Sequence, residues 1–323
     1  MQNKHDFMHM MCFSYGTYDS CRPNSATMRV LQLDLCMNRI HPRLFPDLTT
    51  PARPLSKESA RRRALLAGIV PLALAAASPR QASAQAGRPV RLLAASDLKF
   101  ALTLVLERFQ SETGEKVEAS FGSSGSFAQQ ILQGLPAELF MSADEDFVYR
   151  LADAGLTRTL ADAAADRGAR YAVGRIALFV PLDSTIALDP QLRGLKAQWR
   201  QVSKFAIGNP EHAPYGRAAM QALQKLGLWE LVLPKLVLGE NISQATQFVS
   251  SGAAQAGITA LSLALAPEVA KSGRHIAIPA SLHAPLRQRM VLLKSATPAA
   301  QALYAYLQGA GAREIFARYG FSA

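Results

Sequence analysis

Cysteine is confined to the start of this chain. Cys12, Cys21 and Cys36 are its only three, and none follows Cys36. Their spacing fits no zinc or redox motif, so disulfide, thiol and Cys-ligated metal chemistry are excluded from everything downstream. Histidine is nearly as sparse. After residue 85 only His212, His275 and His283 occur, none with a companion at metal-ligand spacing. No Lys/Arg-rich run with interleaved aromatics occurs in that region either. The formal charge of +11 is concentrated early: residues 1–84 carry 11 basic and 5 acidic side chains, leaving 24 and 19 for the rest. A nucleic-acid surface is therefore not expected. Internal repeats and low-complexity segments are absent after residue 85.

What is present begins with a leader. Arg61-Arg62-Arg63 precedes an apolar run from Ala64 to Ala77, and Ala82-Ser83-Ala84 follows. The run is too short to span a bilayer comfortably. Basic cluster, apolar run and A-x-A spacing, in that order, are the three parts of a secretory signal. Residues 58–84 are read as that signal, cleaved near Ala84 and placing the mature protein in the periplasm. No cysteine follows the run, so a lipoprotein anchor is not expected. Residues 1–57 show no sustained apolar period. They are read as an extension upstream of the real start at Met28, Met37 or a non-Met codon.

From residue 89 strand and helix patterns alternate. Val90 to Ala95, Lys116 to Phe121 and Leu139 to Ser142 read as strands, with helices at Leu98 to Ser111, around Phe127 to Leu132, and at Phe147 to Ala154. A second set begins at Tyr171. Its strands are Ile176 to Val180, Phe205 to Ile207, Lys235 to Leu238 and Gly257 to Thr259, and its helices Arg217 to Leu226 and Ile242 to Ser250. Ile276 to Ile278 and Met290 to Leu293 read as further strands. A mainly helical segment from Pro298 to Tyr319 closes the chain, with Thr297 as its cap. This alternation predicts mainly parallel sheets with crossover helices. There are too many strands for one ordinary sheet, so two α/β lobes with a ligand cleft are expected. Residues 88–170 and 282–323 are assigned to lobe 1 and residues 171–281 to lobe 2.

Ligands of open α/β sheets bind beyond the carboxyl ends of the strands. Four strand-to-helix turns lie there: Ala94 to Asp97, Phe121 to Ser126, Gly208 to Gly216 and Gly239 to Gln244. Each presents unpaired N–H groups of a helix start, with a hydroxyl or amide nearby. Such ends favour anions without Lys or Arg. Ser, Asp, Asn and Gly are also what helix caps prefer, so any one of these turns has an ordinary structural explanation. Together they point to an anion held by neutral donors and do not name it. Asp144-Glu145-Asp146 reads as a helix-start acidic cluster, and Lys99 and Arg217 read as solvated side chains.

At these residues the chain resembles the periplasmic molybdate-binding proteins of ABC importers, over about residues 89–323. The matching pieces are Ala94-Ala95-Ser96, Gly122-Ser123-Ser124, Leu139 to Asp144, Asn209 to Gly216, Gly239 to Gln244, and Arg318 to Phe321. The resemblance implies the type II periplasmic-binding-protein fold. It implies a function of capturing molybdate, and tungstate with it, for the membrane permease of an ABC importer. A monomer without catalysis or cofactor is expected. By position Ser96 and Ser124 match the hydroxyl ligands of the family, and Tyr215 and Ile242 its backbone donors. Ala95, Ser123 and Asn241 are secondary candidates. Some members place a tyrosine hydroxyl after the G-I-x segment, where this chain has Ala260. Tyr215 is the candidate to replace that donor. Asp97 is expected to complement a helix start while pointing away from the anion.

Two other classes remain beside this reading. One is a receptor for another oxyanion such as sulfate or phosphate. The other is an exported enzyme on the same fold, against which stands the lack of any Ser–His–Asp, Cys–His or paired-carboxylate set on the four turns. A sensor domain of a regulator fits neither the signal nor the lack of a DNA-binding segment.

Overall fold

The computed structural model describes residues 87–159 and 164–322. The expected extension at residues 1–57 and the expected signal at residues 58–84 lie outside the described residues. The apolar runs of the sequence become strands. In chain order they are β1 (Val90–Ala95), β2 (Val117–Gly122), β3 (Leu139–Ser142), β4 (Ala169–Gly174) and β5 (Ile176–Pro181). They continue with β6 (Phe205–Gly208), β7 (Leu236–Gly239), β8 (Ala256–Ala260), β9 (Gly273–Ala277) and β10 (Leu286–Leu292).

These strands make two five-stranded sheets, ordered β2-β1-β3-β10-β4 and β7-β6-β8-β5-β9. Each sheet takes one strand from across the chain crossing: β10 enters the first, β5 the second. In the first sheet β1 is parallel to β2 and β3, while β10 is antiparallel to β3 and β4. In the second, β6 is parallel to β7 and β8, while β5 is antiparallel to β8 and β9. The sheets are thus mixed, where the sequence pattern predicted mainly parallel ones. A strand that enters a sheet from the other lobe runs against its neighbours, and hydropathy does not encode that direction.

The change of sheet also differs from expectation. β4 runs to Gly174 and pairs with β10, so residues 171–174 belong to the first lobe and the chain crosses at Arg175. The expected boundary stood four residues earlier. The return crossing lies between Ala277 and Leu286.

Helices cover both faces of the sheets. On one face of the first sheet Val90, Leu92 and Ala94 pack with Phe109 of the Lys99–Thr113 helix and Leu303 and Phe316 of the closing helices. On the other face Leu93 packs with Phe140, Ile131 and Val148. β1 is therefore buried on both sides, as its near-continuous apolar run requires. The closing segment is two helices, Pro298–Leu307 and Ala310–Arg318, joined at Gly309. Thr297 caps the first, its hydroxyl accepting from Ala300 N at 3.3 Å, with Pro298 in the first helical turn. The second lobe has its own core around Phe179, Phe205, Ile207 and Leu223.

Candidate functional site

The carboxyl ends of β1, β2, β6 and β7 each lead into the start of a helical element. A short 3-10 turn, Ser96–Leu98, follows β1, and the Ser124–Leu132 helix follows β2. The Pro214–Lys225 helix follows β6 and the Ile242–Ser250 helix follows β7. Ser96, Ser124, Tyr215 and Ile242 converge on one small cavity between the lobes, and each is at most 3% exposed. Ala95 and Ser123 also line it.

Local chemistry sets each donor. Ser124 is the first residue of its helix, after an N-cap (Ser123) whose side chain makes no cap bond. The Ser124 Oγ accepts from Ala143 N at 2.9 Å. That bond occupies a lone pair and leaves the hydroxyl proton to give. The Ser96 Oγ is in the same situation, accepting from Ser243 N of the other lobe at 3.4 Å. Tyr215 and Ile242 stand in the first turns of their helices, where backbone N–H groups have no intrahelical acceptor.

The loop before Tyr215 is folded by Asn209. Its side-chain oxygen accepts from Glu211 N at 3.1 Å and its carbonyl from Ala213 N at 2.9 Å. Pro214 then opens the helix with its ring at a position that needs no N–H donor. Asn241 has a different task. Its side chain accepts from Gln244 N at 3.1 Å as the N-cap, and it does not line the cavity. Its contribution is to set the start of the helix that presents Ile242.

Among the described residues no Lys, Arg or His lines the cavity, and Asp97 is the one ionisable carboxylate there. Asp97 stands in the first turn of the Ser96–Leu98 segment, but its side chain is turned to partners on other elements. Its side chain is buried, and Oδ2 accepts from the Tyr215 hydroxyl at 2.9 Å and from Gln288 Nε2 at 2.7 Å. Burial pushes its pKa up to about 6, although both hydrogen bonds act the other way. Burial, and then the nearby Asp97 carboxyl, hold the Tyr215 phenol well above its usual range, so it stays a neutral donor. The Tyr215 hydroxyl proton is thus committed to Asp97. It does not replace the donor absent at Ala260, which is the buried last residue of β8.

The cavity rim is closed by contacts between the lobes. The His212 carbonyl accepts from Gly125 N at 3.0 Å and from the Ser123 hydroxyl at 2.5 Å. His212 Nδ1 lies 3.1 Å from the same hydroxyl, and Nε2 lies 3.5 Å from Glu240, which also accepts from Ser126 at 2.9 Å. The Arg217 guanidinium pairs with Asp144 at 2.8 Å, away from the lining. Among the described residues no group of three or more His, Cys, Asp or Glu side chains is placed to hold a metal ion. His212 was legible as a residue of the Asn209 to Gly216 segment, but its partners Ser123, Gly125 and Glu240 lie on other elements, up to 89 positions away.

Two α/β lobes closing on a cavity of helix starts and hydroxyl donors define a two-lobed ligand receptor. Residues 90–322 match the model of the bacterial extracellular solute-binding proteins, and the chain belongs to that family. Its fold is the type II periplasmic-binding-protein fold. The molybdate-binding protein ModA of Azotobacter vinelandii is 37% identical over 234 residues, covering 72% of this chain and 89% of the relative. ModA of Escherichia coli (strain K12) is 32% identical over 238 residues, covering 72% and 88%. Among solved structures, the periplasmic molybdate-binding protein of Azotobacter vinelandii superimposes with a TM-score of 0.65 at 28% identity. That match covers 72% of this chain and 99% of the other.

Proposed function

We propose that this protein captures molybdate, and tungstate with it, outside the cytoplasm and delivers it to the membrane permease of an ABC importer. It acts in the periplasm as a monomer, after removal of a leader near Ala84, and carries out no catalysis. One observation carries the reading. The Ser96 and Ser124 hydroxyls each accept from a backbone N–H, which leaves their protons to donate into a cavity that, among the described residues, has no basic side chain. A tetrahedral dianion without protons suits that arrangement, because each of its oxygens accepts. The helix starts at Ser124, Tyr215 and Ile242 supply further N–H groups and a partial positive charge. The two ModA relatives support molybdate over other oxyanions. Tungstate has nearly the same size and charge, so the same donors take it.

Calorimetric titration with molybdate, tungstate, sulfate, phosphate and a small organic acid tests this. Molybdate and tungstate are expected to bind far more tightly than phosphate, which carries protons at neutral pH. Tighter binding of phosphate, sulfate or the organic acid would replace the reading with a receptor for that ligand.

A further inference from the structure

Asp97 gathers donors from both lobes, and nothing in the anion-binding role of its neighbours requires that. From the second lobe, the Tyr215 hydroxyl reaches Oδ2 at 2.9 Å and the Ser262 hydroxyl reaches the Asp97 carbonyl at 2.8 Å. They come from different elements, the Pro214–Lys225 helix and the Leu261–Ala264 turn that follows β8. From the first lobe, Gln288 of β10 donates Nε2 to Oδ2 at 2.7 Å and to the Tyr215 oxygen at 2.9 Å. Three side chains separated by 73 to 191 positions thus close a triangle of hydrogen bonds. Asp97 forms no salt bridge among the described residues, and its Oδ1 is buried without a partner. A charge so placed is unfavourable by itself. It is retained where it fixes one arrangement of its neighbours.

We infer that Asp97 is a positioning residue, a latch that holds Tyr215 and the turn beginning at Leu261 against the first lobe and so sets the Tyr215 N–H over the anion. The inference rests on the oxyanion reading for its purpose, and on the Tyr215–Asp97–Gln288 triangle for its mechanism. Tyr215 has two separate tasks here. The residue lines the cavity, and its hydroxyl ties the lobes together through Asp97 and Gln288.

Hydrogen–deuterium exchange of the full chain, read by mass spectrometry with and without molybdate, tests the latch. In the ligand-free protein, Tyr215→Phe removes only the hydroxyl and keeps the ring. Residues 213–217 and 96–98 are expected to exchange faster together, by roughly 10- to 100-fold, the range of a hydrogen bond to a charged group. Asp97→Ala is expected to do the same, and Tyr215→Phe with Asp97→Ala no more than either alone. Asp97→Asn keeps an acceptor oxygen for Tyr215 and should restore most of the protection. A side chain that merely fills space would show no such difference between Asn and Ala. Unchanged exchange in Tyr215→Phe, an effect of Asp97→Ala confined to residues 96–98, or Asn behaving as Ala would each overturn the proposal. If molybdate protects no segment of the wild type, the oxyanion reading falls, while the ligand-free comparison still decides the latch.

Discussion

The His212 carbonyl in one lobe accepts from the Gly125 N–H in the other at 3.0 Å, and a Cβ at Gly125 would stand 2.6 Å from that oxygen. Only glycine permits the two lobes to meet there. Gly125→Ala is therefore expected to obstruct closure and leave each lobe folded. Overpacking of this size costs about 1–3 kcal/mol, so molybdate affinity should fall roughly 10- to 100-fold. Calorimetry beside a thermal melt of the ligand-free protein checks it. A melt lowered as much as the binding energy would place the damage inside one lobe instead.

Ser124 bears on whether its turn is a binding element or only a helix cap. The position argues against a cap, since Ser124 is the first helical residue and its hydroxyl accepts from Ala143 N, not from its own helix. Ser124→Ala removes one donor to a charged acceptor, and affinity should fall roughly 10- to 100-fold. It also leaves the Ala143 N–H without an acceptor, so a melt lower by about 1–3 kcal/mol of stability is expected too. Both effects should appear. Lower stability with intact affinity would remove Ser124 from the ligand set.

The local half of this arrangement was readable and the long-range half was not. β1, β3 and the Ile242–Ser250 helix fall where the apolar pattern put them, since each is an apolar segment bounded by Gly, Ser or Asn turns. The four helix starts were legible because caps and small residues act within a few positions. β4 was missed, although Tyr171 lies within it. Its sequence, Ala-Arg-Tyr-Ala-Val-Gly, buries only Ala172 and Gly174 fully, and its identity as a strand comes from pairing with β10, more than a hundred residues on. Gln288 gave no signal among the arginines of β10, yet it binds Asp97 across 191 positions. The fate of the Tyr215 hydroxyl depended on that unseen partner. Donors made by local turns can be read from sequence; the partners that then occupy them cannot.

Arg217 supplies a contrast. Its pair with Asp144 at 2.8 Å spans the lobes but is partly solvated, the two side chains being 40% and 22% exposed. Pairs this exposed contribute about 0–1 kcal/mol. Arg217→Ala should therefore change molybdate affinity by less than roughly fivefold, with the remaining effect shrinking as salt is raised. A loss as large as that of Ser124→Ala in titrations at low and high salt would assign the guanidinium to the anion after all.

The buried carboxyl of Asp97 makes a pH prediction with a definite sign. Its pKa is about 6 in the folded protein against 3.8 for an unperturbed side chain, with burial as the cause. The groups facing it are the Tyr215 hydroxyl, the Gln288 amide and the Tyr171 phenol, all neutral over this range. A raised folded pKa means the folded state holds the proton more firmly. Its contribution to stability is complete below about pH 3.8 and is lost as the pH rises through about 6. At roughly 1.4 kcal/mol per unit the loss is about 3 kcal/mol. Asp97→Asn does not titrate and should lack this slope, so its stability relative to wild type should improve between about pH 4 and 7 by that order. The oxyanion places a like charge beside Asp97 and raises its pKa further, which couples binding to proton uptake. Wild-type affinity should therefore weaken as the pH rises through about 6, and the Asn variant should show a flatter profile. Urea midpoints and calorimetric titrations of both proteins across this range decide it. Parallel profiles for wild type and Asn would mean that Asp97 does not change its proton between pH 4 and 7, and the coupling would fall with it.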